Sequence, residues 1–321
     1  MLGRRHALAL AAAGTFVAPA RAQSAFPAKP IRFVVPWPPG GATSAIARIV
    51  GDEMQKGLGQ PMVYDHRPGA GGALGSDIVA KSPGDGYTIL IAGAGTFYRP
   101  LIEKETPFNP DKDFDFIGPI GDGPFMLVTR RGLPATLGEF IAHAKANPGK
   151  LNFASSGPGS TSHLTAELFN RNAGIQATHV PFRGSVPAMT DLLAGRVDYF
   201  FDAFTTTIEN VRANRITALG VTTTSRAAQA PEIPTVAEAG LAGFSAAPWW
   251  GIVGPAGMPR DAIERLSMEL RRALAQDSVV KILADQGCRG FGLGPVEFEA
   301  YVRAENKKWS EVIEAAGLKV S

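Results

Sequence analysis

The sequence predicts an α/β fold of two lobes, in which two parallel-type sheets are each flanked by helices. Short strands rich in Ile, Val and Phe alternate with helical segments, and short Gly-rich turns join them, as in repeated βα units. The chain has 321 residues, close to two domains of about 150 residues each. Since 45% of the residues are hydrophobic, both domains have enough apolar material for a core.

Hydrophobic periodicity and turn residues assign the elements in chain order. The first strand runs through a Pro- and Gly-rich turn into a helix, and the same order recurs at 151–170. The predicted strands are 31–35, 62–64, 87–91, 116–130, 151–153, 178–180, 197–201, 216–221 and 249–253. The predicted helices are 43–54, 75–81, 137–146, 161–170, 185–193, 204–211, 235–239, 260–276 and 295–316.

Two of these strands are predicted to cross between the lobes. Residues 116–130 are interpreted as one strand that leaves the first lobe, and 249–253 as the strand that returns to it. We therefore expect lobe 1 to comprise residues 23–124 and 226–321, and lobe 2 to comprise residues 125–225.

The N-terminus has the three parts of a secretory signal peptide. Arg4 and Arg5 supply positive charge, residues 7–18 are small and apolar, and Ala20-Arg21-Ala22 is a cleavage site. The apolar run is shorter than the ~20 residues that span a bilayer. We expect residues 1–22 to be a signal peptide and the mature chain to be exported; an uncleaved anchor is the alternative. Both general secretion and, from the Arg4-Arg5 pair, twin-arginine export stay open.

Charge and cysteine content exclude several classes of protein. The chain has 32 basic and 29 acidic residues, a formal net charge of +3. Removal of residues 1–22 takes away three arginines and leaves 29 residues of each sign. A neutral chain without basic runs is not expected to bind nucleic acid. Because Cys288 is the only cysteine, neither an internal disulfide nor a CxxC metal site can form.

Two turns lie in equivalent places, each between a buried strand and a helix start. They are Pro38-Pro39-Gly40-Gly41-Ala42-Thr43-Ser44 and Ser155-Ser156-Gly157-Pro158-Gly159-Ser160-Thr161. The first N–H groups of a helix are unpaired and carry partial positive charge, so an anion can bind there without a cation. Ligands of α/β sheets lie beyond the carboxyl ends of the strands. The pair predicts a cleft for one or two carboxylates, although each turn alone is also typical of an ordinary helix cap.

Two charged residues that follow strands of the second lobe are further candidates. Arg183 either binds a carboxylate through two hydrogen bonds or lies exposed in its turn. Asp202 either accepts a hydrogen bond from a ligand hydroxyl or water, or caps the helix that follows it.

Nucleotide, catalytic and metal sites lack their usual motifs. Neither turn has the Lys-Ser/Thr pair of a Walker A loop, and the glycines at 69–75 are one residue too widely spaced for GxGxxG. Ser155, Ser156 and His163 do not form a GxSxG elbow, and the histidines show no metal-binding spacing. We expect no catalysis, no cofactor and no metal. A secreted hydrolase that uses Ser155 or Ser156 stays an alternative.

Short motifs follow one another along the mature chain. They occupy residues 30–41, 65–72, 83–88, 111–114, 155–157, 163–169, 195–198, 234–240, 250–257 and 305–309. In their order and spacing they resemble the Bug-type extracytoplasmic receptors of tripartite tricarboxylate transporters. The resemblance covers the whole mature chain.

This resemblance implies a two-lobed periplasmic-binding-protein-like fold of type II, with a hinge of two crossover strands. It also implies that the two turns hold a ligand carboxylate, often through ordered waters. The residues to which this role carries over are Pro38, Gly41, Ala42, Thr43, Ser44, Ser155, Ser156, Ser160 and His163, and Arg183, Gly184 and Asp202 are added to them.

The expected function is that of a monomeric periplasmic solute-binding protein. It would capture a small carboxylate for the membrane subunits of a tripartite tricarboxylate-type transporter. Citrate-like tricarboxylates, aliphatic dicarboxylates, nicotinate-like rings and aromatic dicarboxylates stay open as ligands. A sensory receptor that presents its ligand to a membrane kinase is the alternative.

Two departures from the family pattern bear on the ligand. Many members have Asp where this chain has Ser44, and that Asp can pair with a ligand ammonium. Ser44 cannot, which favours a plain carboxylate over an amino acid. Tyr98-Arg99-Pro100 replaces the more usual Asn-Pro pair, so Arg99 either adds a positive contact from the first lobe or faces solvent.

Overall fold

The computed structural model describes residues 26–103 and 105–316, and the predicted signal peptide, residues 1–22, lies outside them. Within those two ranges, eleven strands form two separate sheets, and ten α-helices accompany them. In the same ranges, no helix is both long and apolar enough to cross a bilayer. The predicted α/β class with two helix-flanked sheets is therefore confirmed.

The bounds of the elements are as follows. The strands are β1 (Ile31–Val35), β2 (Met62–His66), β3 (Thr88–Gly93), β4 (Phe114–Asp122), β5 (Phe125–Arg130), β6 (Leu151–Ser155), β7 (Ala177–Pro181), β8 (Tyr199–Ala203), β9 (Ile216–Val221), β10 (Trp249–Pro255) and β11 (Arg289–Gly290). The helices are α1 (Ala42–Leu58), α2 (Ala73–Ala80), α3 (Ala94–Ile102), α4 (Leu137–Ala146), α5 (Thr161–Ala173), α6 (Ser185–Leu193), α7 (Phe204–Arg212), α8 (Arg260–Leu274), α9 (Asp277–Asp285) and α10 (Pro295–Ala316).

The first sheet has the strand order β11-β4-β10-β3-β1-β2, and the second has the order β7-β6-β8-β5-β9. In the first, β1 runs parallel to β2 and β3. In the second, β6 runs parallel to β7 and β8. We propose a lobe limit at 124, because it separates β4 from β5. The second limit, expected at 225, is better placed just before β10, because Thr235 pairs with Val221 and residues 227–233 pack in the core of the second sheet.

The sheets are mixed, which corrects the prediction of purely parallel-type sheets. β10 runs antiparallel to β3 and β4, and β5 runs antiparallel to β8 and β9. Parallel neighbours need a crossover connection, usually a helix, that returns the chain to the edge where the previous strand began. No helix immediately precedes β5, because it follows β4 directly. The single strand predicted at 116–130 is in fact β4 and β5, which lie in different sheets with residues 123–124 between them.

Three local features of the structure differ from the prediction. Helix α3 was not predicted, because its glycines and Pro100 are typical of turns. It forms because its buried Phe97 packs on Trp249 and its buried Tyr98 on Trp309, with ring centroids 5.6 and 5.1 Å apart. Helix α9, which is separated from α8 by two residues, was also not predicted. Residues 235–239 form turns instead of a helix, since Thr235 pairs with Val221 at the edge of the second sheet.

Helix α10 closes the core of the first lobe over the returning strand β10. Phe298 is fully buried, and its ring lies 5.7 Å from Trp249 and 5.4 Å from Phe116, both edge-on. Gly251 of β10 leaves the space for this ring, since a Cβ there would lie 2.1 Å from Phe298 Cζ. The crossover strand is thus fixed by the last helix of the chain.

We expect Phe298→Ala to lower the free energy of unfolding by about 3–5 kcal/mol, because it removes a buried ring from between α10 and β10. Urea denaturation followed by circular dichroism measures the effect. Val296→Ala on the same helix is the control, since Val296 is 76% exposed, and a change within about 0.5 kcal/mol is expected there. Equal losses for the two variants would contradict this account of α10.

Candidate functional site

A cavity lies between the two sheets, where loops that follow their strands face each other. Its volume is about 70 Å³, enough for ordered water. Among the described residues of the lining, one ionisable side chain occurs, that of Asp202. The lining residues are Trp37, Pro38, Gly41, Ala42, Thr43, Gly93, Gly95, Thr96, Phe125, Ser156, Ser160, Thr161, Ser162, Ser185, Val186, Asp202, Ala203, Pro248, Trp249 and Trp250.

Five helices begin at this cavity: α1, α3, α5, α6 and α7. Cap or first-turn residues of each belong to the lining. Ser160 caps α5 through its side chain, whereas the other four helices have no side-chain cap. Unpaired N–H groups and the helix dipole make such starts partially positive. The cavity therefore suits an anion, although none of its described lining residues is cationic.

The first predicted turn contributes four of its five candidate residues to the lining. Pro38, Gly41, Ala42 and Thr43 all face the cavity. The Thr43 hydroxyl also accepts a hydrogen bond from Trp250 Nε1 at 3.0 Å, which ties the turn to the crossover strand. Ser44 lies one residue farther into α1 and outside the lining, and the residue at the cap position is Gly41.

The second predicted turn brings Ser156 and Ser160 to the cavity but not Ser155. Ser160 accepts from the His163 N–H at 3.3 Å and donates to the Gly157 carbonyl at 2.7 Å, so it both caps α5 and fixes the turn. Ser155 is fully buried, and its hydroxyl lies 2.6 Å from His179 Nε2.

His163 is part of a ring stack behind the second turn, outside the lining. Its ring lies 4.0 Å from that of His179, and the His179 ring lies 4.9 Å from that of Phe153. Its Nδ1 accepts from the Gly159 N–H at 3.2 Å, so His163 supports the turn. Burial, and then the charge of His163, lower the pKa of His179 to about 4.

Asp202 lies at the end of β8 and is 2% exposed, yet it reaches the cavity. Its Oδ1 accepts from the Ser185 hydroxyl and its Oδ2 from the Thr206 hydroxyl, both at 2.6 Å. Burial raises its pKa to about 6, although the hydrogen bonds from Ser185 and Thr206 oppose the rise.

Arg183 and Gly184 lie in the turn before α6 and are not in the lining. Arg183 is exposed, consistent with the second of its two predicted readings. Gly184 is the cap residue of α6, and a Cβ on it would lie 2.8 Å from Pro38 Cδ. It therefore allows the turns of the two lobes to touch.

Several lining residues were missing from the sequence-based set. Ser185 starts α6 after Gly184, in the same strand–turn–helix pattern as the two predicted turns. Gly93, Gly95 and Thr96 belong to a third such turn, and its helix α3 escaped prediction. The repeated pattern of small residues after each strand is the signal that identifies them. Thr161 and Ser162 simply continue the second turn.

The lobes contact each other around the cavity through backbone groups. The Gly95 N–H donates to Thr161 Oγ1 at 2.9 Å. Arg99 is buried rather than facing solvent, and its guanidinium donates to the carbonyls of Pro158, at 2.9 Å, and Ala70. A Cβ on Gly71 would lie 2.0 Å from the Pro158 carbonyl oxygen. The two lobes are thus closed on each other here.

The hydrolase alternative finds little support in this geometry. The Ser155–His179 pair resembles a nucleophile and its base, but the Ser155 hydroxyl is fully buried and does not line the cavity. Within the described part of the chain, no group of three or more His, Cys, Asp or Glu side chains could hold a metal ion.

Comparisons with solved structures identify the fold. BugD, a periplasmic binding protein, superposes with a TM-score of 0.88 at 30% identity, over 92% of this chain and 99% of BugD. R. palustris Rpa4515 with adipate gives 0.88 at 32% identity, over 91% and 98%. MatC from Rhodopseudomonas palustris with bound malate gives 0.86 at 33% identity, over 90% and 100%. The fold is therefore that of the periplasmic binding proteins, as predicted.

Sequence comparisons identify the family within this class. The model for the tripartite tricarboxylate transporter family receptor matches residues 46–318. BugT of Bordetella pertussis is 34% identical over 97% of this chain and 98% of its own length. A Pseudomonas sp. protein described as "UPF0065 protein in tcbD-tcbE intergenic region" is 42% identical over 97% and 94%. The chain belongs to the tripartite tricarboxylate transporter receptor family, and the resemblance to Bug-type receptors is confirmed.

We expect the imidazole of His179 to titrate near pH 4 in NMR spectra, because burial disfavours its charged form. An unfolded His titrates near pH 6.5, so the unfolded chain binds more protons below that pH. The folded state should therefore lose stability as the pH falls from about 6.5 to 4. His179→Gln, which cannot titrate, should lose less over that range. A pKa near 6.5 for the wild-type ring would contradict the buried stack.

Proposed function

We propose that the protein is a periplasmic, non-catalytic receptor that captures a small carboxylate and delivers it to the membrane subunits of a tripartite tricarboxylate-type transporter. The observation that carries the proposal is the convergence of five helix starts on one cavity without a cation among its described lining residues. Such a site binds an anion through backbone N–H groups and needs no reaction.

The related structures support the same ligand class. Rpa4515 was solved with adipate and MatC with malate, both small aliphatic dicarboxylates. The cavity, of about 70 Å³, suits a small ligand of this kind. The family description and BugD's own description, a periplasmic binding protein, support the location and the transporter partner.

One carboxylate occurs in the described lining, that of Asp202, and the hydroxyls of Ser185 and Thr206 donate to its two oxygens. A ligand ammonium would find a single carboxylate there and would share it with those hydroxyls, which favours a plain carboxylate over an amino acid. Ser44, where many relatives have Asp, supplies no carboxylate. We assign the direct ligand contacts to the first-turn residues of α1 and to Ser156, Ser160 and Ser185, with His163 and Ser155 as supports behind them.

Closure of the two lobes over the ligand is the proposed signal to the membrane subunits. The contacts around the cavity involve backbone groups of both lobes, so they form only when the lobes approach closely. A ligand that bridges the helix starts of both lobes stabilises the closed form, because it binds that form preferentially.

A thermal-shift panel tests the ligand class on the chain from residue 23 onward. We expect adipate, malate and related carboxylates to raise the melting temperature by a few degrees, since a ligand at 100 times its Kd adds about 2.7 kcal/mol. Amino acids and neutral sugars serve as controls and should give no shift. A shift with those controls alone would refute the carboxylate assignment.

Gly71→Ala should hinder closure, because its Cβ would lie 2.0 Å from the Pro158 carbonyl oxygen of the other lobe. We expect at least a tenfold loss of carboxylate affinity and a larger radius of gyration with ligand, measured by calorimetry and small-angle X-ray scattering. Gly149→Ala is the matched control, since Gly149 also has a positive φ but no neighbouring atom within 4 Å of the place a Cβ would take. If both variants bind like the wild type, the contact does not contribute to closure.

A further inference from the structure

A buried acid lies in a cavity that otherwise suits an anion. Asp202 is 2% exposed and lines the same space as the uncapped starts of α1, α3 and α6. If the proposed function is right, a ligand carboxylate enters next to this side chain. Two carboxylates in a poorly hydrated site repel each other strongly, and such a pair commonly holds one proton.

Hydroxyl groups connect Asp202 to the cavity wall in a short chain. The Ser185 hydroxyl lies 2.6 Å from Asp202 Oδ1, and the Ser156 hydroxyl lies 3.3 Å from that of Ser185. Both serines line the cavity. Each hydroxyl has one hydrogen to donate. While Asp202 is ionised, Ser185 must donate to it and Ser156 can donate to Ser185, so lone pairs face a ligand.

Protonation of Asp202 reverses these directions. The carboxylic acid then donates its hydrogen to the Ser185 oxygen, and Ser185 is free to donate to Ser156 or into the cavity. Ser156 can likewise turn its hydrogen toward a ligand oxygen. No covalent bond other than the new O–H bond of Asp202 is formed, and the proton comes from solvent.

We propose that capture of a carboxylate takes up one proton at Asp202, which reverses the Ser185–Ser156 chain so that it donates to the ligand. The receptor thus binds the ligand anion together with a proton. Asp202 is a specificity-determining residue in this scheme, because only an anionic ligand gains from its protonation.

No neighbouring charged group of the described residues competes with Asp202 for the proton. Its pKa, raised by burial to about 6, carries no contribution from another charged side chain of the described chain. Titratable and charged groups on the elements around it are engaged elsewhere. They are Arg130 with Asp198, His163 with Glu167, His179 with Ser155, Asp191 with Arg196, Glu209 with Arg212, and Tyr199 with Asn170, and Arg171 of α5 also has a partner.

Isothermal calorimetry with adipate between pH 6 and pH 8 tests the inference, since both carboxylates of adipate are largely ionised in that range. We expect the wild-type affinity to fall about tenfold per pH unit between pH 7 and pH 8, the slope that uptake of one proton requires. Two buffers of different ionisation enthalpy should report an uptake approaching one proton per adipate at pH 8. This measurement needs no variant.

Two variants test whether the proton binds Asp202 and whether it acts through the hydroxyl chain. Asp202→Asn is neutral at every pH, so its affinity for adipate should be independent of pH. Ser185→Ala interrupts the chain and should weaken adipate binding at pH 6 at least tenfold. Asp198→Asn, which alters a neighbouring buried acid outside the cavity, is the control and should keep the wild-type pH slope.

The outcomes separate this inference from the proposed function. Binding of adipate with no pH slope and no proton uptake would overturn the inference and leave carboxylate capture intact. A slope that persists in Asp202→Asn would assign the proton to another group and also overturn it. Absence of binding by adipate, malate and the other carboxylates at every pH would overturn both.

Discussion

Unpaired backbone N–H groups at helix starts are the feature on which the rest of this structure depends. Parallel strands place the starts of their following helices at one edge of each sheet, and the two sheets turn those edges toward each other. Four of the five helices begin without a side-chain cap. Neighbouring turns supply partners for the Gly95 N–H of α3 and the Phe204 N–H of α7, which leaves the starts of α1 and α6 for an outside partner. Small residues at the turns leave room for a ligand to approach these N–H groups.

The lobes meet through contacts that require small residues and exposed carbonyls. Gly71 and Gly157 let two turns approach, and Arg99 joins them by donating to a carbonyl on each side. Buried hydrophobic residues of both lobes, among them Trp249 and Phe153, also belong to one continuous cluster, so the lobes share apolar surface as well as these polar contacts.

The sequence was sufficient to predict the fold class, the crossover regions and the two Gly-rich turns, because each depends on a local pattern of residues. It was insufficient for α3 and for Ser185, because tertiary packing decides whether those segments line the cavity. Aromatic packing on Trp249 and on α10 overrides the Gly and Pro signals of α3. His163 was predicted at the site from a motif, yet its ring stacks behind the turn, and no spacing rule separates these two positions.

The use of main-chain donors has an evolutionary consequence. A substitution cannot delete a backbone N–H unless it introduces proline, so the proposed mode of anion capture would survive most changes of side chain around the cavity. The apolar walls, including Trp37, Phe125 and Val186, are free to vary in size and shape. New acids can therefore be accommodated by remodelling the walls while the charge-binding apparatus is inherited unchanged, which allows duplicated copies of such a receptor to diverge rapidly in ligand choice.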